Sequence, residues 1–238
     1  MNKIKKLYEG KAKQVFSTEN EDQYIVYFKD DATAGNGLKK GSIQEKGKMN
    51  NAISSVLFQA LEEKGIATHF IKKINDRDML VKAVGIIPIE VLVRNVTAGS
   101  LSKRLGLKEG IVLDKTVLEF CYKKDELGDP MINEDHIEIL NIATTQEMDT
   151  IKEMSLRINE ILKEIFKKQG ILLVDFKLEF GRHYENVLLA DEISPDTCRL
   201  WDISTGEKLD KDRFRRDLGK VEEGYHEVLN RITRGRNI

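Results

Sequence analysis

Residues 171–194 read ILLVDFKLEFGRHYENVLLADEIS. Val174, Phe176, Leu178 and Phe180 are apolar, and Asp175, Lys177 and Glu179 alternate with them. Side chains two apart on a strand share a face, at a spacing of roughly 6.5 Å. One face is therefore core, and the other carries three charges. Asp191 lies on the return strand. The midpoint between Glu179 and Asp191 is Glu185, so a turn centred in HYENV sets the two carboxylates opposite each other. Opposed carboxylates repel by about 1 kcal/mol on a wet surface and by more in a cleft. Lys177 or a divalent cation offsets that. No His/Cys cluster points to zinc, whereas Glu plus Asp with open positions suits magnesium. Read alone, the stretch also fits a half-exposed hairpin with ordinary charges facing water.

The neighbouring segments give the context. Upstream, a helix is expected from about Thr145 to Gln169, with a capping box of Thr144 and Glu147 and Gly170 as its stop. Its stripe is Met148, Ile151, Met154, Ile158, Ile161, Leu162 and Ile165. Before it, TVLEFCYK and IIPIEVLVRNV read as strands, the second leading through TAGSLSKRLG into a short helix. IATHFIKKI, DMLVKAV, QYIVYFKD, KQVFST and KIKKLYEG read as further strands. A helix from Glu45 buries Met49, Ile53, Val56, Leu57 and Leu61 and ends near Gly65. DDATAGNGLKKGS reads as a polar loop. Downstream lie a short strand, RLWDI, and a last helix marked by Val221, Tyr225, Val228, Leu229 and Ile232. Runs of strands with a few inserted helices predict an α+β fold, with a boundary near Val81 to Val84.

Composition bounds the function. The chain has 238 residues, 39 basic and 40 acidic, for a net charge of −1. That balance gives no bulk electrostatic drive toward nucleic acid. Two cysteines do not make a disulfide scaffold. Neither an apolar signal core nor a membrane-length run is visible. A soluble, reduced, cytoplasmic protein is expected.

Anion binding must then be local. Gly10, Lys11, Ala12 and Lys13 sit between two strands, where backbone N–H groups and two ammonium groups suit nucleotide phosphates. Arg94 ends a strand, and Gly99 and Ser100 open a helix beyond it. Arg199, Arg215 and Arg216 lie further on. GSIQEKGKM is one residue too long for a Walker A loop and has Met where Ser or Thr is needed. GNGLKKG is misspaced for a dinucleotide fingerprint. His69, His136, His183 and His226 share no spacing that suggests a site.

LYEGKAKQVF, DDATAGNG, KGKMNNAISS, GIATHF, IPIEVLVRNVTAGSLSKRLG, DPMINEDH, LLVDFKLEFG and DEISPDTCRLWD occur in that order. Together they closely resemble the SAICAR synthetase family of purine biosynthesis over almost the whole chain. Ala32 and Thr33 stand where that family often has Thr-Ser. The resemblance implies an ATP-dependent ligase joining L-aspartate to carboxyaminoimidazole ribonucleotide (CAIR), giving SAICAR, ADP and phosphate through an acyl phosphate. It implies two α+β lobes with antiparallel sheets, residues 1–82 and 83–238, related to ATP-grasp architectures, with the nucleotide in the interlobe cleft. It further implies a homodimer.

On that resemblance, Lys11, Ala12 and Lys13 would hold ATP phosphates, and Val15, Val81, Lys82 and Val84 would surround the adenine. Glu179 and Asp191 would hold magnesium. Arg94, Ser100, Arg199 and Arg215 would grip the ribonucleotide phosphate, and Asp31 and Thr33 would border that substrate. Asp175 and Lys177 would face the imidazole and the reacting carboxylate. Lys123 and Asp129 would recognise aspartate. The base for the aspartate amine is Asp175 or a substrate group. A small-molecule kinase and a non-catalytic nucleotide-binding module are the alternatives.

Overall fold

A computed structural model describes residues 2–34 and 38–234. Strands β1 (Lys6–Glu9), β2 (Lys13–Ser17) and β3 (Gln23–Phe28) run antiparallel in chain order, as their β-branched and aromatic runs predict. The segment expected as a polar loop departs from expectation. It forms a separate hairpin of β4 (Asp31–Ala34) and β5 (Lys39–Ser42). Its alternation is confined to small alanines, of which Ala32 is buried with Ile43, Met49 and Tyr225, and further support comes from elsewhere. Lys39 Nζ donates to the Phe214 carbonyl at 2.6 Å, and Gly41 lies against the Phe214 ring. Residues 35–37, the end of DDATAGNG, lie outside the described residues.

Helix α1 (Lys46–Glu62) follows, and the chain leaves it through Gly65 at φ 78°. Strands β6 (Phe70–Lys73) and β7 (Asp78–Lys82) complete a first sheet of order β1-β2-β3-β7-β6. Then come β8 (Gly85–Val96), α2 (Gly99–Leu105), β9 (Val112–Tyr122), a 3-10 turn at Asp125–Leu127, β10 (Met131–Ile132) and α3 (Glu134–Ile139). The capping box that opens α3, Asn133 with His136, has no counterpart among the expected elements, because histidine at that position is an unusual signal. The long helix α4 (Thr145–Lys168) has the expected box. Glu147 N–H donates to Thr144 Oγ1 at 3.2 Å, and Thr144 N–H donates to Glu147 Oε2 at 2.8 Å. The remaining elements are β11 (Ile171–His183), β12 (Asn186–Ala190), β13 (Cys198–Asp202), α5 (Asp212–Arg215) and α6 (Val221–Thr233).

Strand β11 is the spine of the second sheet. All of β8 that it meets runs antiparallel along one edge. On the other edge β13 covers Ile171–Phe176 and β12 covers Glu179–His183. One face of this sheet is apolar. Ile87, Ile89, Val91 and Val93 from β8 and Phe176, Leu178 and Phe180 from β11 are buried there, under Met148, Ile151, Ile158, Leu162 and Phe166 of α4. Each such side chain contributes roughly 1.5–3 kcal/mol on burial. The chain passes from the first sheet to the second at residues 83–84, between Lys82 and Gly85. Gly181 lets that crossing approach closely, since a Cβ there would stand 2.7 Å from Val84. The same apolar cluster takes in Val26 and Phe58 from the first part and Leu189 from the second.

Glu147 also ties α4 to the β11–β12 hairpin. Arg182 Nε and Nη2 donate to its two oxygens at 2.5 and 3.0 Å. These bonds, above all the one from Arg182, hold the Glu147 carboxyl down at about 2, against an ordinary 4.5. A depressed carboxylate stabilises the fold above its unfolded value and loses that contribution as pH falls through its folded value. Arg182→Met is therefore expected to flatten the acid limb of stability between about pH 4.5 and 2, measured by urea midpoints. Arg182 is part exposed, so the effect should be only about 0.5–1 kcal/mol.

Candidate active site

The polar face of β8 and β11 floors a cavity of about 670 Å³. Even-numbered residues of β8 (Ile86, Pro88, Glu90, Leu92, Arg94) and odd-numbered residues of β11 (Asp175, Lys177, Glu179) line it, as strand alternation requires. Register turns these into rungs: Arg94 pairs with Asp175, Leu92 with Lys177, and Glu90 with Glu179.

The first rung extends onto β13, where Arg199 pairs with Asp175. The buried Asp175 carboxylate thus accepts from Arg94 Nη1 at 3.1 Å and from Arg199 Nη1 at 3.0 and 2.8 Å. Arg94 also donates to Glu119 at 2.6 Å and to Ser100 Oγ at 3.0 Å. Arg199 Nε donates to Asp212 at 3.0 Å, and Arg215 donates to the other Asp212 oxygen at 2.6 Å. Charges alternate along the floor: Glu119, Arg94, Asp175, Arg199, Asp212, Arg215. Burial works against the charge on Arg199, but Asp175 and Asp212 outweigh it and raise its pKa. Burial pushes the Asp175 carboxyl up while Arg199 and Arg94 pull it back, leaving it above its ordinary value. Gly99, at φ 53°, leaves room for this chain, since a Cβ there would meet the Arg199 guanidinium at 2.4 Å.

The second group is a knot of lysines and carboxylates. Lys177 Nζ donates to Glu90 at 3.0 Å, bonds Glu179, and lies 3.4 Å from Asp191. Lys123 donates to Glu179 at 2.5 Å, and Lys13 bonds Asp191. Burial opposes the charge on Lys177, but Glu179, Asp191 and Glu90 hold its pKa well above the ordinary value. Burial alone would raise Asp191, yet Lys13, Lys177 and Lys123 hold it far below the usual carboxylate range.

The expected register needs correction. His183 pairs with Asn186, so the turn is Tyr184–Glu185 and Glu179 faces Ala190, not Asp191. The carboxylate opposite Glu179 is Glu90, on the other neighbouring strand. A continued strand would put Asp191 opposite Leu178, on the core face. Asp191 instead takes a left-handed backbone, φ 60°, which breaks the alternation and returns its carboxylate to the cleft.

Of the residues singled out in sequence, Lys11, Ala12, Lys13, Thr33, Arg94, Ser100, Lys123, Asp129, Asp175, Lys177, Glu179, Asp191, Arg199 and Arg215 line this one cavity. Lys11 meets Asp125 at 2.9 Å across it. Asp31 lies in an adjoining cavity of about 570 Å³, paired with Lys29 at 2.6 Å. Val15, Val81, Lys82 and Val84 are not among the lining residues of either. Val81 belongs to the core, Val15 packs against it, and Lys82 Nζ donates to the Thr68 carbonyl at 3.0 Å. Asp175, with both oxygens held by guanidiniums, is placed to orient arginines rather than to act as a free base.

Several cleft residues escaped the sequence reading. Glu90 had a usable signal, since it lies four residues before Arg94 on the same strand face. Asp196 did not. It accepts from the fully buried Lys46 of α1 at 2.6 Å and from Tyr225 of α6 at 2.6 Å, partners remote in sequence. Lys211 stands 4.0 Å from Asp196. Glu192 also lines the cleft, with Oε2 buried and without a hydrogen-bond partner.

Among the described residues no group of three or more His, Cys, Asp or Glu side chains converges as a metal cage. Glu179 and Asp191 offer two carboxylates in a lysine-rich cleft. That set fits magnesium held mainly by water and phosphate oxygens rather than by a protein shell. No described helix is long and apolar enough to cross a membrane.

The chain is similar to known proteins over almost its whole length. The family model described as SAICAR synthetase matches residues 6–232. Phosphoribosylaminoimidazole-succinocarboxamide synthase of Caldanaerobacter subterraneus subsp. tengcongensis is 63% identical over 232 residues, covering 98% of this chain and 99% of that one. The crystal structure of the synthase of that name from Ehrlichia chaffeensis superposes with a TM-score of 0.95 at 52% identity, over 98% of this chain and 100% of the other. A SAICAR synthetase solved in complex with ADP gives a TM-score of 0.93 at 49% identity, over 97% of this chain and 99% of that one.

Proposed function

The chain belongs to the SAICAR synthetase family and is an ATP-dependent ligase of purine biosynthesis that condenses CAIR with L-aspartate; from that premise we propose how its cleft divides the work. The observation that carries the proposal is the union, in one cavity, of an arginine ladder and a lysine-compensated carboxylate knot. The ladder suits a substrate phosphate, since guanidiniums pre-set by buried carboxylates bind it without reorganising. Arg94, Ser100, Arg199 and Arg215 take that role. The knot suits the triphosphate. Lys11, Ala12 and Lys13 hold its phosphates, and Val15, Val81, Lys82 and Val84 back the adenine beside the 83–84 crossing. Asp31 and Thr33 border the ribonucleotide, and Lys123 and Asp129 face aspartate.

A carboxylate is a poor acceptor for an amine because its leaving group would be oxide. Phosphorylation of the CAIR carboxylate gives an acyl phosphate, and attack by the aspartate amine expels phosphate. Lys177, fixed by Glu90 and Glu179, orients the reacting carboxylate and damps repulsion among three anionic substrates. Glu179 and Asp191 would hold magnesium, which when bound neutralises charge on the β- and γ-phosphate oxygens. Residues 1–82 and 83–238 act as the two lobes around the nucleotide, related in plan to ATP-grasp enzymes. A homodimer in the cytoplasm belongs to the same proposal.

The test is a coupled assay with ATP, CAIR and aspartate, omitting each in turn. ADP release is expected to need all three. Full-rate ADP release without aspartate would instead mark a kinase, and its sedimentation coefficient would settle the dimer.

A further inference from the structure

Eight basic side chains line the cleft, and seven of them hydrogen-bond a carboxylate. The eighth is Lys211. Among the described residues none forms a hydrogen bond with its Nζ, and the nearest carboxylate, that of Asp196, stands 4.0 Å away. Asp196 is already matched, because its two oxygens accept from Lys46 and from the Tyr225 hydroxyl, each at 2.6 Å. The Lys211 side chain is only 13% exposed, so water does little to replace a partner. Burial pushes its pKa down, Asp196 opposes that, and Arg215 and Lys46 add to the fall. Lys11, Lys13 and Lys177, each paired with an acid in the same cleft, are raised instead.

The arginine ladder lacks what Lys211 has. Its guanidiniums, Arg94, Arg199 and Arg215, are matched one for one by Glu119, Asp175 and Asp212. Arg104 and Arg216 stand at its two ends, but both are exposed, neither lines the cleft, and they bond Glu119 and Glu109. The ladder therefore offers oriented N–H donors without surplus charge. A phosphate monoester brings a charge of about −1.5 to −2 at pH 7. Lys211 stands beside the ladder. The Arg215 N–H donates to the Lys211 carbonyl at 2.9 Å, so the two side chains, one helical turn apart, leave α5 on the same side and both line the cleft. The Lys211 N–H donates to the Pro195 carbonyl at 3.1 Å, which fixes its backbone to the turn that carries Asp196.

We infer that the Lys211 ammonium binds the phosphate of the ribonucleotide substrate and supplies the net positive charge that the self-neutralised ladder lacks. The inference deepens the assignment of the ladder to that phosphate and rests on it. The division of labour is physical. The guanidiniums, fixed by buried carboxylates, give direction, and the ammonium gives charge. Because Lys211 has no internal ion pair to break, the attraction it exerts on the phosphate is not offset by the loss of a protein partner. Lys46 cannot take this role, since it is fully buried and committed to Asp196.

The test is Lys211→Met, which keeps the apolar stem and removes the charge. Its KM for CAIR should rise by about 10–100-fold, while kcat at saturating CAIR and the KM values for ATP and aspartate stay within about twofold of wild type. Lys211→Arg should recover most of the affinity for CAIR. A lysine that served the fold would cost stability when removed. This one is unpaired and repelled by Arg215, so the urea midpoint of Lys211→Met should stay at or above the wild-type value. An unchanged KM for CAIR, a rise confined to aspartate or ATP, or an equal change in all three KM values with a lowered urea midpoint overturns the inference. Arg199→Ala, run in the same assay, separates the two levels. If that variant leaves the KM for CAIR unchanged, the ladder reading itself fails. If it raises the KM and Lys211→Met does not, only the assignment of Lys211 fails.

Discussion

Asp191→Asn is expected to lower kcat by about 10²–10³-fold at saturating magnesium, the range seen when one pre-set electrostatic group is removed from a reacting centre. Glu179→Gln should do the same. From sequence, the opposed carboxylates look like mutual repulsion that a variant would relieve. The structure reverses the sign. Lys13, Lys123 and Lys177 meet Glu90, Glu179 and Asp191, so each acid neutralised leaves ammonium groups short of a partner. Stability should therefore fall, by about 2 kcal/mol, rather than rise. Steady-state kinetics and urea midpoints on the same variants check both parts. Near-normal turnover in both variants would remove these residues from the phosphate-transfer machinery. A gain in stability would mean that the lysines find other partners.

Arg199→Ala should have the second large effect, and on a different parameter. Arg199 donates to Asp175 and Asp212 at once, and Gly99 keeps the backbone clear of it. Losing a charge-assisted contact to a phosphate costs roughly 1.5–3 kcal/mol, or about 10–100-fold in the KM for CAIR. The KM for ATP should barely move. A change confined to ATP would show that the arginine ladder serves the nucleotide instead. The same variant takes one guanidinium from each of two buried carboxylates, which keep Arg94 and Arg215 as partners, so a stability loss of about 2 kcal/mol is expected alongside. Arg199→Lys should recover little, because one ammonium group cannot reproduce a planar fork that spans both acids.

How far the site could be read without coordinates differs from residue to residue. Asp175, Lys177 and Glu179 were legible because a strand repeats every two residues whatever surrounds it. Lys11 to Lys13 and Arg94 to Ser100 were legible as cations beside turns or helix starts. Glu90 was overlooked although it obeys the same two-residue rule as Arg94. The β4–β5 hairpin was misread because the residues alternating on β4 are small alanines, a weak strand signal, and because it leans on Phe214. Val15 and Val81, expected beside the adenine, pack on and in the core, since in a strand of β-branched residues nothing local says which face is covered.

Apart from the β4–β5 hairpin, most strands and helices, the apolar face of the second sheet and the charge on its opposite face were legible in the chain alone. Those are local consequences of backbone periodicity. Tertiary structure alone decided which charges meet. Lys46 finds Asp196 across 150 positions and Lys13 finds Asp191 across 178. It also decided that Asp191 turns back toward the cleft through one left-handed residue after a register one step from the expected one. Register and that single dihedral are set by the packing free energy of the whole core, to which no short stretch of chain has access.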